Sequence, residues 1–138
     1  MRILVIDGQG GNIGRQLVKM IAEAFPAAEL HAVGTNSIAT ANMMKGANIS
    51  AATGENAVVV GCRRSDVIVG PIGIVIADSL GGEVTPKMAV AVGQSEAVRI
   101  LIPMNKCGNV VAGVRDVSTA TLLGDVIKKI GEVMEENP

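Results

Sequence analysis

The stretch Arg2-Ile3-Leu4-Val5-Ile6-Asp7-Gly8-Gln9-Gly10-Gly11-Asn12-Ile13-Gly14-Arg15 decides the fold of this chain. Its apolar, largely β-branched run from Ile3 to Ile6 is typical of a strand covered on both faces, as in a parallel sheet. Glycines at positions 8, 10, 11 and 14 then allow a sharp bend into a helix. Because the N–H groups at a helix start attract anions, the stretch predicts a binding site for phosphate or another anion.

Segments with strand-like and helix-like patterns alternate after this stretch. Apolar residues recur at helical spacing from Asn12 to Phe25 and from Ser118 to Glu136, which predicts an amphipathic helix in each segment. Residues 57–64 fit either a helix, which we favour, or one strand of a hairpin. Further helices are predicted at 38–45, 74–80 and 86–93, and further strands at 29–34, 47–51, 66–70, 98–102 and 109–114.

This alternation predicts a three-layer, Rossmann-like α/β fold with a mainly parallel sheet of five or six strands. The connection between the strands at 98–102 and 109–114 is too short for a parallel crossover. A sixth strand would therefore form an antiparallel edge. With 138 residues, the chain is expected to form a single domain over residues 1–138.

The composition predicts a self-associating protein. Hydrophobic residues make up 49% of the chain and charged residues only 18%, so we expect an apolar patch to be buried in a homo-oligomer. A net charge of −1 and the lack of Trp and Tyr argue against a nucleic-acid partner. The pattern predicts no membrane span and no leader, and it favours a cytoplasmic location.

The loops that follow the predicted strands form the candidate site. In a parallel sheet such loops meet beyond the carboxyl ends of the strands, where ligands bind. Glycine, amide and hydroxyl side chains are concentrated in these loops, whereas the loops at the opposite end are ordinary. The candidate ligand-binding residues are Asp7, Gly8, Gln9, Gly10, Gly11, Asn12, Ile13, Gly14, Thr35, Asn36, Ser37, Thr53, Glu55, Asn56, Gly70, Pro71, Ile72, Gly73 and Asn105.

The first loop matches the dinucleotide fingerprint Gly-x-Gly-x-x-Gly imperfectly. Alignment at position 9 gives Gln9, Gly11 and Gly14, while a variant that starts at Gly8 has one extra residue. The acid expected at the end of the second strand, which would hold a ribose, is replaced by Thr-Asn-Ser at 35–37. The pattern predicts a nucleotide, with NAD(P) as one option, or another phosphorylated small molecule, and leaves the cofactor unknown. A P-loop is excluded, since no Gly-Lys-Ser/Thr follows the bend.

Few residues offer acid, base or nucleophile chemistry, and no catalytic residue is assigned. Asp7 is expected either to contact a metal or ligand hydroxyl or to accept N–H bonds from the bend. Glu55 fits a first-turn helix acid better than a general base. Cys62 is predicted to pack in the core, Cys107 to be a loop thiol, and His31 to be a satisfied side chain on a strand face. Spaced clusters of metal ligands are absent from the sequence.

Three kinds of function stay open on these residues. The favoured hypothesis is nucleotide-type binding, with enzymatic activity uncertain. The second is a ligand-sensing or regulatory module without turnover, and the third is a structural protein that forms oligomers. A Gly11→Val variant is expected to abolish binding and leave the fold intact.

Four segments together carry a family resemblance. They are Ile-Asp-Gly-Gln-Gly-Gly-Asn-Ile-Gly at 6–14, Gly-Thr-Asn-Ser-Ile-Ala-Thr-Ala-Asn-Met at 34–43, Ala-Thr-Gly-Glu-Asn-Ala at 52–57 and Asp-Val-Ile-Val-Gly-Pro-Ile-Gly at 66–73. On these segments the chain resembles a family of short bacterial proteins catalogued as domain of unknown function 3842. The resemblance runs over nearly the whole chain and brings no established activity. A looser likeness, limited to the opening strand, loop and helix, is to NAD(P)-binding Rossmann domains.

Overall fold

The computed structural model of the protein describes residues 1–104 and 108–137. Within these residues, strands and helices alternate along the chain. The strands are β1 (Arg2–Asp7), β2 (Glu29–Gly34), β3 (Ser50–Thr53), β4 (Val67–Pro71) and β5 (Val98–Ile102). The α-helices are α1 (Asn12–Ala24), α2 (Ser37–Met44), α3 (Glu55–Arg64), α4 (Pro86–Gln94) and α5 (Thr119–Glu136), and a 3-10 helix covers Ile72–Val75.

The strands form one parallel sheet in the order β3-β2-β1-β4-β5. Asp7 at the end of β1 lies opposite Gly34 at the end of β2, and Gly34 lies opposite Thr53 at the end of β3. The loops after these three strands therefore emerge side by side at the carboxyl ends of the strands. This arrangement confirms the predicted three-layer, Rossmann-like α/β fold.

The first strand is covered on both faces, as predicted. Ile3 and Val5 pack in one cluster with residues of α1 and α5, whereas Leu4 and Ile6 pack in another with residues of α3 and α4. All four side chains are at most 1% exposed. Successive strand residues point to opposite faces, so an unbroken apolar run serves two helical layers at once.

The predicted strand at 109–114 is wrong, and so is the antiparallel edge that depended on it. These residues have no regular structure, and Val110 is 93% exposed. Gly108 and Gly113, on either side of Val110, have φ angles of 84° and 82°, in the left-handed region that bends a chain away from extended geometry. Within the described residues the sheet therefore has five strands, the smaller of the two predicted numbers.

The predicted helix at 74–80 is also wrong. A 3-10 turn ends at Val75, and turns follow it as far as α4. Asp78 and Leu80 have φ angles of 67° and 55°, which an α-helix cannot contain. Leu80 is nevertheless buried, so this segment folds back over the sheet without a regular helix.

Two other segments refine the prediction. Residues 57–64 belong to α3, which confirms the favoured helix over the hairpin strand. The third strand is Ser50–Thr53, a few residues later than the predicted 47–51. This short edge strand is largely exposed, so its sequence lacks the apolar run that marked β1.

Candidate functional site

Asp7 fixes the shape of the glycine-rich loop, which we define as residues 8–14. Its Oδ1 accepts the N–H of Gly8 at 2.8 Å and its Oδ2 accepts the N–H of Gly14 at 2.7 Å. Burial raises the pKa of Asp7 above its ordinary value of 3.8, the two N–H bonds lower it, and the Glu83 carboxylate adds to the rise. Of the two roles considered for Asp7, the structure shows the N–H acceptor.

Helix α2 holds the other side of the glycine-rich loop. The Asn36 side-chain amide donates to the Gln9 carbonyl at 2.9 Å, and the Asn42 amide donates to the Gly10 carbonyl at 2.9 Å. Gly11 packs directly against the backbone of Ala39 and has a φ of 72°. Two carbonyls of the loop are therefore held by side-chain amides of α2 and its N-cap.

The glycine-rich loop keeps donors that the protein does not use. Across residues 1–104 and 108–137, the N–H groups of Gly10, Asn12 and Ile13 have no acceptor in the protein. Gly10 and Asn12 are exposed and Ile13 is half-buried, so these groups lie in a solvent-exposed part of the loop. They stand at the start of α1, where the helix dipole adds partial positive charge.

A carboxylate that the sequence did not single out lies beside these donors. Glu83 Oε1 accepts the Gln9 N–H at 2.9 Å, the Thr35 hydroxyl at 2.8 Å and the Asn36 amide at 2.6 Å. Burial alone would raise the pKa of Glu83, but these three hydrogen bonds together hold the pKa below its ordinary value of 4.5. The group is therefore ionised at neutral pH and joins the ends of β1 and β2.

Glu83 could be found in the sequence only through a weak signal. It lies 74 residues after Gln9, in the connection between β4 and α4. Gly81 and Gly82 precede it with φ angles of 66° and 92°, and this pair allows the connection to turn back. Two adjacent glycines indicate a turn, but they do not say where the next side chain reaches.

The predicted residues after β3 lie further from the glycine-rich loop. Thr53 shares a hydrogen bond of 2.7 Å with the buried Thr40 hydroxyl, which connects the end of β3 to α2. Ser37 and Asn56 are exposed in the first turns of α2 and α3. Glu55, in the first turn of α3, accepts the Thr85 hydroxyl at 2.6 Å. The structure thus gives Glu55 a hydrogen-bonded place at a helix start.

Thr85 links two helix starts, and its replacement by alanine tests that link. Its hydroxyl accepts the Met88 N–H at 3.1 Å as the N-cap of α4 and donates to Glu55. We expect Thr85→Ala to lower the free energy of unfolding by about 1–2 kcal/mol, measured by urea denaturation. Ser118→Ala, which removes the exposed N-cap of α5, is the matched control and should cost less because water replaces its hydrogen bonds. An equal loss in both variants would contradict a structural role for the Thr85–Glu55 contact.

The predicted residues after β4 are covered by protein. Gly70, Pro71 and Gly73 are buried, and Ile72 is half-buried. The Ser79 hydroxyl donates to the Gly73 carbonyl. The space between the end of β1 and the start of α4 is too small to admit a water molecule. The accessible part of the candidate site therefore lies over the ends of β1 and β2.

The remaining sequence candidates fall outside this surface. Asn105 and Cys107 lie outside the residues that the structure describes. Cys62 packs in the core as predicted, and burial raises the pKa of its thiol to about 11. His31 is partly exposed on β2 and contacts Glu29 through Nε2 at 2.9 Å, which confirms a satisfied side chain. In the described ranges, no three side chains of His, Cys, Asp or Glu lie close enough together to hold a metal ion.

A second concave surface lies at the opposite end of the sheet. This groove has a volume of about 890 Å³ and is lined by residues that precede β4 and β5, including Arg63, Arg64, Asp66 and Ser95. The loops of the predicted binding face do not contribute to it. Its size and the two arginines favour this groove, whereas the glycine-rich loop at the other end offers backbone N–H donors at a helix start.

A solved structure with a similar fold supports the α/β architecture. The structure is similar to the dodecameric FMN-dependent UbiX-like decarboxylase of Escherichia coli O157:H7, with a TM-score of 0.50 and 15% identity over 95% of this chain and 94% of that chain. At this identity the similarity concerns the fold alone. No curated protein matches the chain.

Every helix in the described residues is too short or too polar to cross a membrane.

The sequence itself also matches one protein family. The match extends over residues 2–135, from β1 through α5. It therefore includes the glycine-rich loop, the end of β2 and the connection that carries Glu83. The protein belongs to the family described as Domain of unknown function (DUF3842).

Proposed function

We propose that the protein binds a nucleotide or another phosphorylated small molecule over the ends of β1 and β2. The observation that carries this proposal is the set of unused N–H groups of Gly10, Asn12 and Ile13 in the described residues. A phosphate placed there would accept hydrogen bonds from a preformed loop and lie at the positive end of α1. The rest of the ligand would lie toward Thr35 and Asn36.

Both acidic and basic side chains surround the glycine-rich loop. Asp7 and Glu83 are acidic, and each would disfavour a nearby phosphate. Arg15, in the first turn of α1, is exposed, and its Nη1 lies 3.5 Å from Asn42 Oδ1 beside the loop. Because both Asp7 oxygens accept backbone N–H groups, that carboxylate lies behind the loop and is screened from the ligand.

The comparison with a known enzyme suggests one probe. The similar structure is described as FMN-dependent, and FMN carries a terminal phosphate of the kind that the glycine-rich loop could accept. We therefore include FMN among the candidate ligands, beside AMP, NAD, NADP and ribose 5-phosphate. These compounds all contain phosphate and differ in the group attached to it. A comparison of their Tm shifts therefore identifies which attached group contributes to binding.

Thermal unfolding with these ligands tests the proposal, and Gly10→Asp is the matched variant. A ligand that binds only the folded state stabilises it by about 2.7 kcal/mol at a hundred times Kd, which raises Tm by several degrees. A Cβ at Gly10 would meet only the Asn12 side-chain amide, at an ordinary 3.7 Å, so this variant should fold normally. Its added carboxylate should repel the phosphate and abolish the Tm shift. A shift that is absent in the wild type, or fully retained in the variant, would contradict the proposed site.

A second candidate function is ligand sensing without turnover. The acids near the site are all engaged by protein donors: Asp7 by two N–H groups, Glu55 by Thr85 and Glu83 by three donors. An engaged carboxylate is a poor general base, because the hydrogen bonds that hold its charge also lower its basicity. Following the ligand over time in the presence of the protein would separate the two functions, since a sensor leaves it unchanged.

We also propose that the protein forms homo-oligomers and functions in the cytoplasm. Its exposed apolar side chains include Val98 on the edge strand β5 and Val110, Val114 and Val117 in the segment before α5. Their burial between copies would account for the apolar composition. The similar structure is described as dodecameric. Light scattering should give a mass of at least twice 14.1 kDa, whereas the mass of a monomer would contradict self-association.

A further inference from the structure

The Glu83 carboxylate lies at the end of β2, where the local sequence contains no acidic residue. Residues 35–37, after β2, carry only neutral polar side chains. Glu83 Oε1 nevertheless lies 2.8 Å from Thr35 Oγ1 and 2.6 Å from Asn36 Nδ2. The connection between β4 and α4 therefore brings a negative charge to the end of β2, directly beside the glycine-rich loop.

The segment that carries Glu83 is anchored on both sides of it. Leu80 and Val84 are each 1% exposed, and the Asp78 N–H donates to the Val84 carbonyl at 2.7 Å. Gly8 has no room for a Cβ, which would lie 2.5 Å from Thr35 Oγ1 and 3.2 Å from Glu83 Oε1. Glycine at this position therefore allows the carboxylate to approach the loop, and the buried neighbours fix where it lies.

The two oxygens of Glu83 have different surroundings. Oε1 accepts three hydrogen bonds, while Oε2 has no partner within residues 1–104 and 108–137. Among those residues, Arg2 Nε is the only buried side-chain nitrogen or oxygen without a partner, so Oε2 is open to solvent. One oxygen thus holds the side chain in position, and the other remains available as an acceptor.

We propose that Glu83 Oε2 accepts a hydrogen bond from the ribose 2′-hydroxyl of a nucleotide whose phosphate lies on the N–H groups of Gly10, Asn12 and Ile13. In dinucleotide-binding folds an acid at the end of the second strand has this role, and its charge excludes a 2′-phosphate. Here the acid comes from a distant segment. This inference rests on the proposed function and narrows the ligand class to ribonucleotides with a free 2′-hydroxyl.

The same contacts have a competing explanation. The Glu83 carboxylate could itself occupy the anion position of the site and be displaced by the phosphate of a ligand. In that case its removal would strengthen the binding of every phosphorylated compound by the same factor, whatever its sugar. The open Oε2 and the unused donors at Gly10, Asn12 and Ile13 favour the first explanation, because a phosphate site remains free while Glu83 is in place.

Calorimetric titration with three adenine nucleotides separates these explanations. The compounds are AMP, 2′-deoxy-AMP and adenosine 2′,5′-bisphosphate, which share the base and the 5′-phosphate. The wild type should bind AMP about tenfold tighter than 2′-deoxy-AMP, since a hydrogen bond to a charged group is lost, and should bind the bisphosphate more weakly still. In Glu83→Gln the AMP preference should fall to about threefold or less, and the bisphosphate should gain affinity.

Each result has a definite meaning. Equal affinity of the wild type for AMP and 2′-deoxy-AMP would overturn the ribose contact and leave the proposed function intact. In Glu83→Gln, an equal gain in affinity for all three nucleotides and inorganic phosphate, with the preference for AMP over 2′-deoxy-AMP unchanged, would also overturn it, in favour of the displaced carboxylate. Binding of none of the compounds by the wild type would overturn both. Because the comparison of AMP with 2′-deoxy-AMP needs no variant, the inference stays testable if Glu83→Gln does not fold.

Discussion

Replacement of Gly11 by alanine is expected to lower the free energy of unfolding by about 2–5 kcal/mol, through left-handed backbone strain and overpacking together. Gly11 has a φ of 72°, which an L-residue adopts at a cost. Its Cβ would also lie 2.7 Å from both the Cα and the carbonyl oxygen of Ala39. Backbone atoms cannot rotate out of the way as a flexible side chain can. Helices α1 and α2 would have to separate, and urea denaturation measures the resulting loss.

Gly124→Ala is the matched control for this variant. Gly124 is exposed in α5, and nothing lies within 4 Å of an added Cβ. Alanine there should stabilise the protein by about 0.5–1 kcal/mol because it favours the helix. If both variants changed stability by similar amounts, the close contact between Gly11 and Ala39 would be contradicted. The same contact argues against an intact fold in Gly11→Val.

Replacement of Asp7 by alanine is expected to cost about 2–5 kcal/mol, because two buried N–H groups lose their acceptor. These groups belong to Gly8 and Gly14, at the two ends of the glycine-rich loop. The loss is partly offset because a buried charge also disappears. Asp125→Ala is the control, since that side chain is exposed and pairs with Lys129 only at 3.9 Å. It should change stability by no more than about 0.5 kcal/mol.

The pH dependence of the Asp7 effect has a defined sign. Since its folded-state pKa is raised above 3.8, the folded protein binds more protons than the unfolded chain above that pH. The contribution of Asp7 to stability is therefore largest below this pH and declines as pH rises through the folded-state pKa. The difference in unfolding free energy between wild type and Asp7→Asn should thus be greater near pH 3.5 than near pH 7. A difference that grows with pH would contradict a raised pKa.

The main elements of the fold could be predicted because their patterns are strong. β1 is an unbroken apolar run, and α5 repeats its apolar residues at helical spacing over 18 residues. The segment 109–114 is also apolar, but strand formation requires a partner strand, and that requirement is not visible in a local pattern. In the segment 74–80, Leu80 has a left-handed backbone conformation and is nevertheless buried. Its burial therefore does not reflect helical periodicity.

The candidate site was predictable where it is local and unpredictable where it is not. The glycine-rich loop and the polar residues after β2 are contiguous in sequence, and parallel strands bring their ends together. Glu83 reaches Gln9 across 74 residues, through a connection whose course depends on left-handed residues and on the burial of Leu80 and Val84. The burial of Gly70 and Gly73 follows from the same connection, which covers the end of β4.

Amide chemical shifts measured while AMP is titrated into the isotope-labelled protein test the central claim most directly. A phosphate at the start of α1 should shift the N–H resonances of Gly10, Asn12 and Ile13 first and most, because they would donate to it. The Thr35 and Asn36 resonances should also move. The Gly10→Asp variant should lose these changes. Shifts confined to the opposite groove around Arg63 and Arg64, or no shifts at millimolar AMP, would contradict the account.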